Sequence, residues 1–79
     1  MKVRISFFAH SREIVGASRI DFEIREEESV STLLGRLQSQ FPDLLGMYIR
    51  VAVNTEYVED GQRLYDGDEV AIIPPVSGG

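Results

Sequence analysis

The sequence predicts a small α+β domain, in which one sheet folds over one main helix. Near the N-terminus two runs alternate polar and apolar residues, the period of half-buried strands. A single later stretch carries apolar residues at helical spacing. The remaining apolar runs are short, β-branched and separated by turn residues. With 79 residues there is room for one domain and one core.

In Lys2–Phe7 the polar residues Lys2, Arg4 and Ser6 alternate with Val3, Ile5 and Phe7, which leaves Phe8 on the outward face. Residues 10–16 contain Ile14 and Val15 and end in glycine, the pattern of a short helical turn. Residues 19–25 alternate again through Ile20, Phe22 and Ile24, so the two runs make an antiparallel pair. Glu26, Glu27 and Glu28 read as a solvated acidic run near the positive end of the following helix. That helix starts at the N-cap Ser29, places Val30, Leu33, Leu34, Leu37 and Phe41 along one face, and stops at Pro42. Gly35 in its middle costs about 1 kcal/mol relative to alanine, and close packing there is the expected reason for it. Residues 49–53 form a strand, and 54–56 turn into Tyr57 and Val58. Asp60 and Gly61 make another turn, and Leu64 plugs the core. Asp66, Gly67 and Asp68 are a strong turn signal before the last strand, Glu69–Ile73, which Pro74 and Pro75 end. The expected sheet therefore has four to five strands.

Composition narrows the chemistry. There is no cysteine, and His10 is the only histidine, so no metal site of the usual ligand types is expected. If the chain handles sulfur, the sulfur cannot ride on a thiol of its own. Thirteen acidic residues against eight basic ones give a net charge of −5, which argues against nucleic acid as the partner. Arg4 interrupts the N-terminal apolar run, and no stretch has the apolar length of a membrane span. Neither a signal peptide nor a membrane anchor is expected, and the expected location is the cytoplasm. No nucleophile–base pair, phosphate-binding glycine loop or paired carboxylate site is visible, so the chain is expected to be inert as an enzyme on its own.

The chemistry is concentrated after the last strand. Pro74, Pro75, Val76, Ser77, Gly78 and Gly79 form an expected flexible tail (residues 74–79) on a domain of residues 1–73. Paired prolines favour an extended backbone of about 3.1 Å per residue, enough to carry the last carboxylate roughly 19 Å outward. Two glycines can thread a channel that any Cβ would block. The Gly79 carboxylate is open to attack the α-phosphate of ATP, and a thiol or persulfide can then displace AMP. A thioester or, after reduction, a thiocarboxylate results.

Asp66-Gly67-Asp68-Glu69-Val70 followed by Pro74-Pro75-Val76-Ser77-Gly78-Gly79 resembles the end of the small subunits of molybdopterin synthase. Phe7-Phe8-Ala9, Arg12-Glu13 and Val15-Gly16 resemble that family's first segment, and Val53-Asn54 its central strand. The resemblance runs nearly the whole length. It implies a ubiquitin-like β-grasp fold with the first and last strands side by side and parallel. It also implies that a partner resembling ubiquitin-activating enzymes adenylates Gly79 at the expense of ATP. A sulfur donor protein would then convert it to a thiocarboxylate, with no cofactor held permanently. The tail would deliver sulfur to cyclic pyranopterin monophosphate in the active site of the large synthase subunit. Two small and two large subunits are the implied assembly.

Given that strand arrangement, alternation predicts a docking face. Val3, Ile5, Phe7, Val70 and Ile72 point into the core. Phe8 and Ile73 point outward at one end of the sheet, beside the root of the tail, and Tyr57 completes the cluster if its short strand lies nearby. Near the same end, Arg12 either pairs with acidic residues on a partner or is simply solvated, the latter being the default for an exposed arginine, and His10 has no assigned role. Rival readings are a carrier for thiamine thiazole synthesis, a protein modifier joined to lysines through Gly79, and an interaction domain with an inert tail. Lys2 is the only lysine on which modifier chains could grow, apart from the amino terminus.

Overall fold

A computed structural model describes residues 1–74. The chain runs β1 (Lys2–Phe7), α1 (His10–Val15), β2 (Arg19–Glu23), α2 (Val30–Gln40), a 3-10 turn (Pro42–Leu44), β3 (Arg50–Val53), β4 (Glu56–Tyr57) and β5 (Glu69–Ile73). The five strands form one sheet in the order β2-β1-β5-β3-β4. β1 pairs antiparallel with β2 and parallel with β5, while β3 pairs antiparallel with both β5 and β4. A mixed sheet with its terminal strands parallel at the centre, closed over one main helix, is the β-grasp arrangement.

Period-two burial fixes the register. Val3, Ile5 and Phe7 of β1, Val70 and Ile72 of β5, and Val51 and Val53 of β3 form the buried side of the sheet. A slip of one residue would turn all of them to water. Against this side pack Val30, Leu33 and Leu37 of α2, with Leu44 and Leu64 fully buried beside them. The helix starts as its cap requires: Ser29 Oγ accepts from the Thr32 amide at 3.3 Å. The Val30 and Ser31 amides donate to the carbonyls of Gln62 and Asp60. Amides that a helix start leaves unpaired thus tie α2 to the segment carrying Leu64.

Two expectations are corrected. Glu28 is not part of a solvated run, since it is only 4% exposed. Its Oε1 accepts from the Arg25 amide at 2.8 Å, and Arg36 Nη1 donates to both carboxylate oxygens at 2.7 Å. The Arg36 guanidinium in turn sits 4.8 Å from the centre of the Phe22 ring. A buried carboxylate is tolerable because it is paired and hydrogen-bonded. The second correction concerns Gly35, which is exposed; a Cβ there would meet nothing within 4 Å, so close packing does not explain it.

The turn motif that carried much of the resemblance fastens one end of the sheet. Asp66 Oδ1 accepts from the Lys2 amide at 2.7 Å, and Gly67, at φ 84°, donates its amide to the Lys2 carbonyl. Asp68 Oδ2 accepts from the Tyr65 amide, and its Oδ1 accepts from Asn54 Nδ2 at 3.0 Å. Asn54 and Thr55 both have positive φ, 50° and 73°, as a tight two-residue hairpin between β3 and β4 demands. These residues hold the fold at the end where β5 begins.

Candidate docking face at the root of the tail

β5 ends at Ile73 and is followed by the buried Pro74. Because β1 runs parallel to β5, its last residues arrive at the same end: Phe7 pairs with Ile72, and the Phe8 amide donates to the Ile72 carbonyl at 3.2 Å. Phe8 is 49% exposed and Ile73 half-buried, both on the outward face. On the other flank β3 enters antiparallel, which sets Arg50 opposite Ile73.

β4 brings in the third expected residue. Tyr57 pairs with Ala52, which pairs with Ala71, which pairs with Ser6. This outward row of small residues ends on the Tyr57 ring, itself 55% exposed. The Arg50 guanidinium carbon lies 3.8 Å from the centre of that ring. Arg50 is two residues back along the strand from Ala52 and Tyr57 is directly across from it. The methyl of Ala52 is consequently 6% exposed although it faces outward. Phe8, Ile73 and Tyr57 therefore share one face, with Arg50 between the last two.

Two residues that sequence reasoning did not single out shape this face. Ala9 has φ 53° and ψ −134°, a region that suits glycine and costs another residue of order 1–3 kcal/mol. That turn bends the chain from β1 straight into α1 and leaves the Phe8 side chain standing outward. Ser11 is fully buried, and its Oγ donates to the Phe8 carbonyl at 2.6 Å. Both polar backbone groups of Phe8 are thus held. The alternation of residues 49–53 is a signal that could have placed Arg50 on the outward side, but only the pairing of β3 with β5 sets it opposite Ile73.

His10 Nδ1 lies 2.9 Å from Glu13 Oε2, with both side chains exposed, and Arg12 is exposed as well. Among the described residues no three His, Cys, Asp or Glu side chains are grouped so as to hold a metal ion, and no helix is long and apolar enough to cross a membrane. Pro75, Val76, Ser77, Gly78 and Gly79, expected to form the working tail, lie outside the described residues.

The ThiS family model matches residues 5–79. The chain belongs to the ThiS family. The molybdopterin synthase sulfur carrier subunit of Chlamydomonas reinhardtii is 40% identical over 83 residues, covering 100% of both chains. Among solved structures, a putative molybdopterin converting factor subunit 1 from Pyrococcus furiosus superposes with a TM-score of 0.90 at 27% identity, covering 96% of this chain and 99% of that one. The small archaeal modifier protein 1 of Haloferax volcanii gives a TM-score of 0.83 at 26% identity, covering 95% and 98%. The family resemblance read from the end motifs and the β-grasp fold it implied both hold, and this chain is a ubiquitin-like sulfur carrier by family.

Proposed function

We propose that this protein carries sulfur as a thiocarboxylate on Gly79 and donates it to cyclic pyranopterin monophosphate in molybdopterin synthesis. The observation that carries the reading is the coincidence of two features. A Pro-Pro-Val-Ser-Gly-Gly segment, residues 74–79, follows β5, and the exposed Phe8 and Tyr57 stand with Ile73 on the face where β5 ends. A docking face at the root of a threadable segment suits a chain that works by inserting its end into partners. Full-length likeness to a molybdopterin synthase sulfur carrier subunit supports the same reading.

In this scheme a Gly79 carboxylate oxygen attacks the α-phosphate of ATP on an adenylyltransferase resembling ubiquitin-activating enzymes, and pyrophosphate leaves. A persulfide on a sulfur donor protein attacks the acyl carbon and expels AMP, which leaves an acyl disulfide. A thiol reductant cleaves its sulfur–sulfur bond and releases the thiocarboxylate. Transfer of that sulfur within the large synthase subunit, with water supplying the returning oxygen, restores the carboxylate. Pro74, Pro75, Val76, Ser77 and Gly78 are the threading segment, and Phe8, Ile73 and Tyr57 dock the large subunit. The chain is the sulfur-donating subunit and no enzyme by itself, holds no permanent cofactor, and works in the cytoplasm.

The test is fragmentation mass spectrometry after incubation with ATP, a persulfide donor and the candidate adenylyltransferase. Replacement of one oxygen by sulfur, confined to the C-terminal fragment and absent when Gly79 is deleted, is the expected result. Intact mass does not suffice, because oxidation of Met1 or Met47 has the same nominal shift. An unchanged Gly79, with enzymes active on another carrier, would overturn the reading.

The likeness to a small archaeal modifier protein favours a second reading, in which the same adenylate ends on lysines of other proteins. Mass-shifted conjugates in cell extract that vanish on deletion of Gly79 would mark it. Rescue of a molybdenum-cofactor defect, as opposed to a thiamine thiazole defect, separates the first reading from the remaining rival carrier.

A further inference from the structure

The outward face of the sheet is divided by charge. Toward the start of β5, acids and bases alternate across the strands. Lys2 pairs with Glu23, Arg4 lies between Asp21 and Glu69, and Arg4 Nε is 3.8 Å from Asp21 Oδ1. Toward the end of β5 the outward strand positions are Arg19, Ser6, Ala71, Ala52 and Tyr57 in one row, then Phe8, Ile73 and Arg50 in the next. No carboxylate occupies any of them, in a chain with thirteen acidic residues and a net charge of −5. The acids nearest along the chain to Phe8 and Arg50 belong elsewhere: Glu13 is bonded to His10 and lines a surface depression with Asp43, and Glu56 pairs with the inward-facing Val53. Arg4, Arg36 and Arg63 have carboxylate partners; among the described residues Arg12, Arg19, Arg25 and Arg50 have none, and of these only Arg19 and Arg50 stand on strand positions at this end of the sheet.

We propose that Arg50 and Arg19 form a cationic rim to this docking face, and that the protein partner seated there presents carboxylates to them. The inference rests on the docking-face reading and adds the charge of the partner. Arg50 suits the role by its placement. Its guanidinium is stacked on Tyr57, so less side-chain freedom is lost when a carboxylate binds, and a guanidinium is more weakly hydrated than an ammonium. Arg19 stands on β2 and Arg50 on β3, three strand spacings or about 14 Å apart across the sheet. Between them lie Ser6, Ala71 and Ile73, so the partner's acids flank an apolar contact. Charges at such a rim mainly select partners and speed encounter. An acidic carrier with a locally basic docking face is thereby steered to present this end and to turn its acidic surfaces away.

The test titrates the full chain with the large subunit of molybdopterin synthase from the same organism, at about 50 and about 300 mM salt. The unaltered chain is compared with R50E, R19E, R50K and F8A. Expected at low salt are at least a roughly tenfold loss of affinity for R50E and R19E, a smaller loss for R50K, and a shallower salt dependence for both reversals. Unfolding midpoints of the two reversals should stay near that of the unaltered chain. If F8A weakens binding while both reversals keep the affinity and salt dependence of the unaltered chain, the cationic rim is overturned and the docking face stands. If F8A binds as the unaltered chain does, the docking-face reading fails and this inference falls with it.

Discussion

One guanidinium nitrogen of Arg36 lies 2.7 Å from each carboxylate oxygen of Glu28, whose side chain is sealed from solvent. The pair spans the entry to α2, because Glu28 also accepts from the Arg25 amide and its carbonyl accepts from Leu64. Removing one partner leaves a buried charge without compensation, which is the costly way to break such a pair. Arg36→Ala should lower the unfolding free energy by about 3 kcal/mol. The corresponding fall in Tm for a domain of this size is roughly 12–24 °C. The comparator is Glu27→Ala, which removes only the exposed 3.6 Å contact with Arg63 and should stay within about 0.5 kcal/mol of the unaltered chain. Urea denaturation of the two variants checks the contrast.

Asn54 joins the hairpin of β3 and β4 to the start of β5. Its Nδ2 donates to Asp68 and its Oδ1 accepts from the Glu69 amide, both at 3.0 Å. Asn54→Ala loses both bonds and a residue type that tolerates positive φ, for an expected cost of about 1–2 kcal/mol. The knot lies at the opposite end of β5 from Ile73, so affinity for a docked partner should not change. Paired denaturation and binding measurements on this variant test both halves.

Gly35 and Ala9 should each tolerate or gain from exchange for the other's residue type, for opposite backbone reasons. Gly35 is exposed in the middle of α2 with open space around it, so Gly35→Ala should stabilise by about 0.5–1 kcal/mol. Ala9 occupies backbone space that suits glycine, and Ala9→Gly should be neutral to stabilising in spite of the added chain entropy. Ala9→Val, with a branched side chain at the same φ, should destabilise by more than about 1 kcal/mol. Equilibrium unfolding of the three variants decides each sign.

Phe8 and Ile73 should separate binding from stability. Phe8→Ala removes a half-exposed ring and should change the unfolding free energy by less than about 1 kcal/mol. Truncating an anchor at the centre of an interface costs on the order of 2 kcal/mol of binding, about thirtyfold in Kd. Ile73→Ala should show the same binding loss with a somewhat larger stability cost, since Ile73 is half-buried. Calorimetric titration against the large subunit, alongside urea denaturation, measures both. A loss of stability of several kcal/mol for Phe8→Ala would make it a core residue and remove it from the docking face.

What the sequence determined by itself was local. Alternation in Lys2–Phe7 and Glu69–Ile73 is a property of the strand pleat, and the Ser29 cap and the Val30, Leu33, Leu37 spacing are properties of a helix turn. Each can be read within a few residues, and so could the outward aim of Phe8 and Ile73. The parallel pairing of β1 with β5 was legible only through family resemblance, because side-chain period does not specify a neighbour. Tertiary structure alone decided the rest. Glu28 looks like Glu26 and Glu27 in the chain, yet only Glu28 meets Arg36 across the helix entry and is buried. Arg50 looks like any strand arginine until β3 pairs with β5 and sets it against Ile73 and over Tyr57. Burial and neighbour identity are set by contacts between residues far apart in the chain, and no local pattern of polarity encodes them.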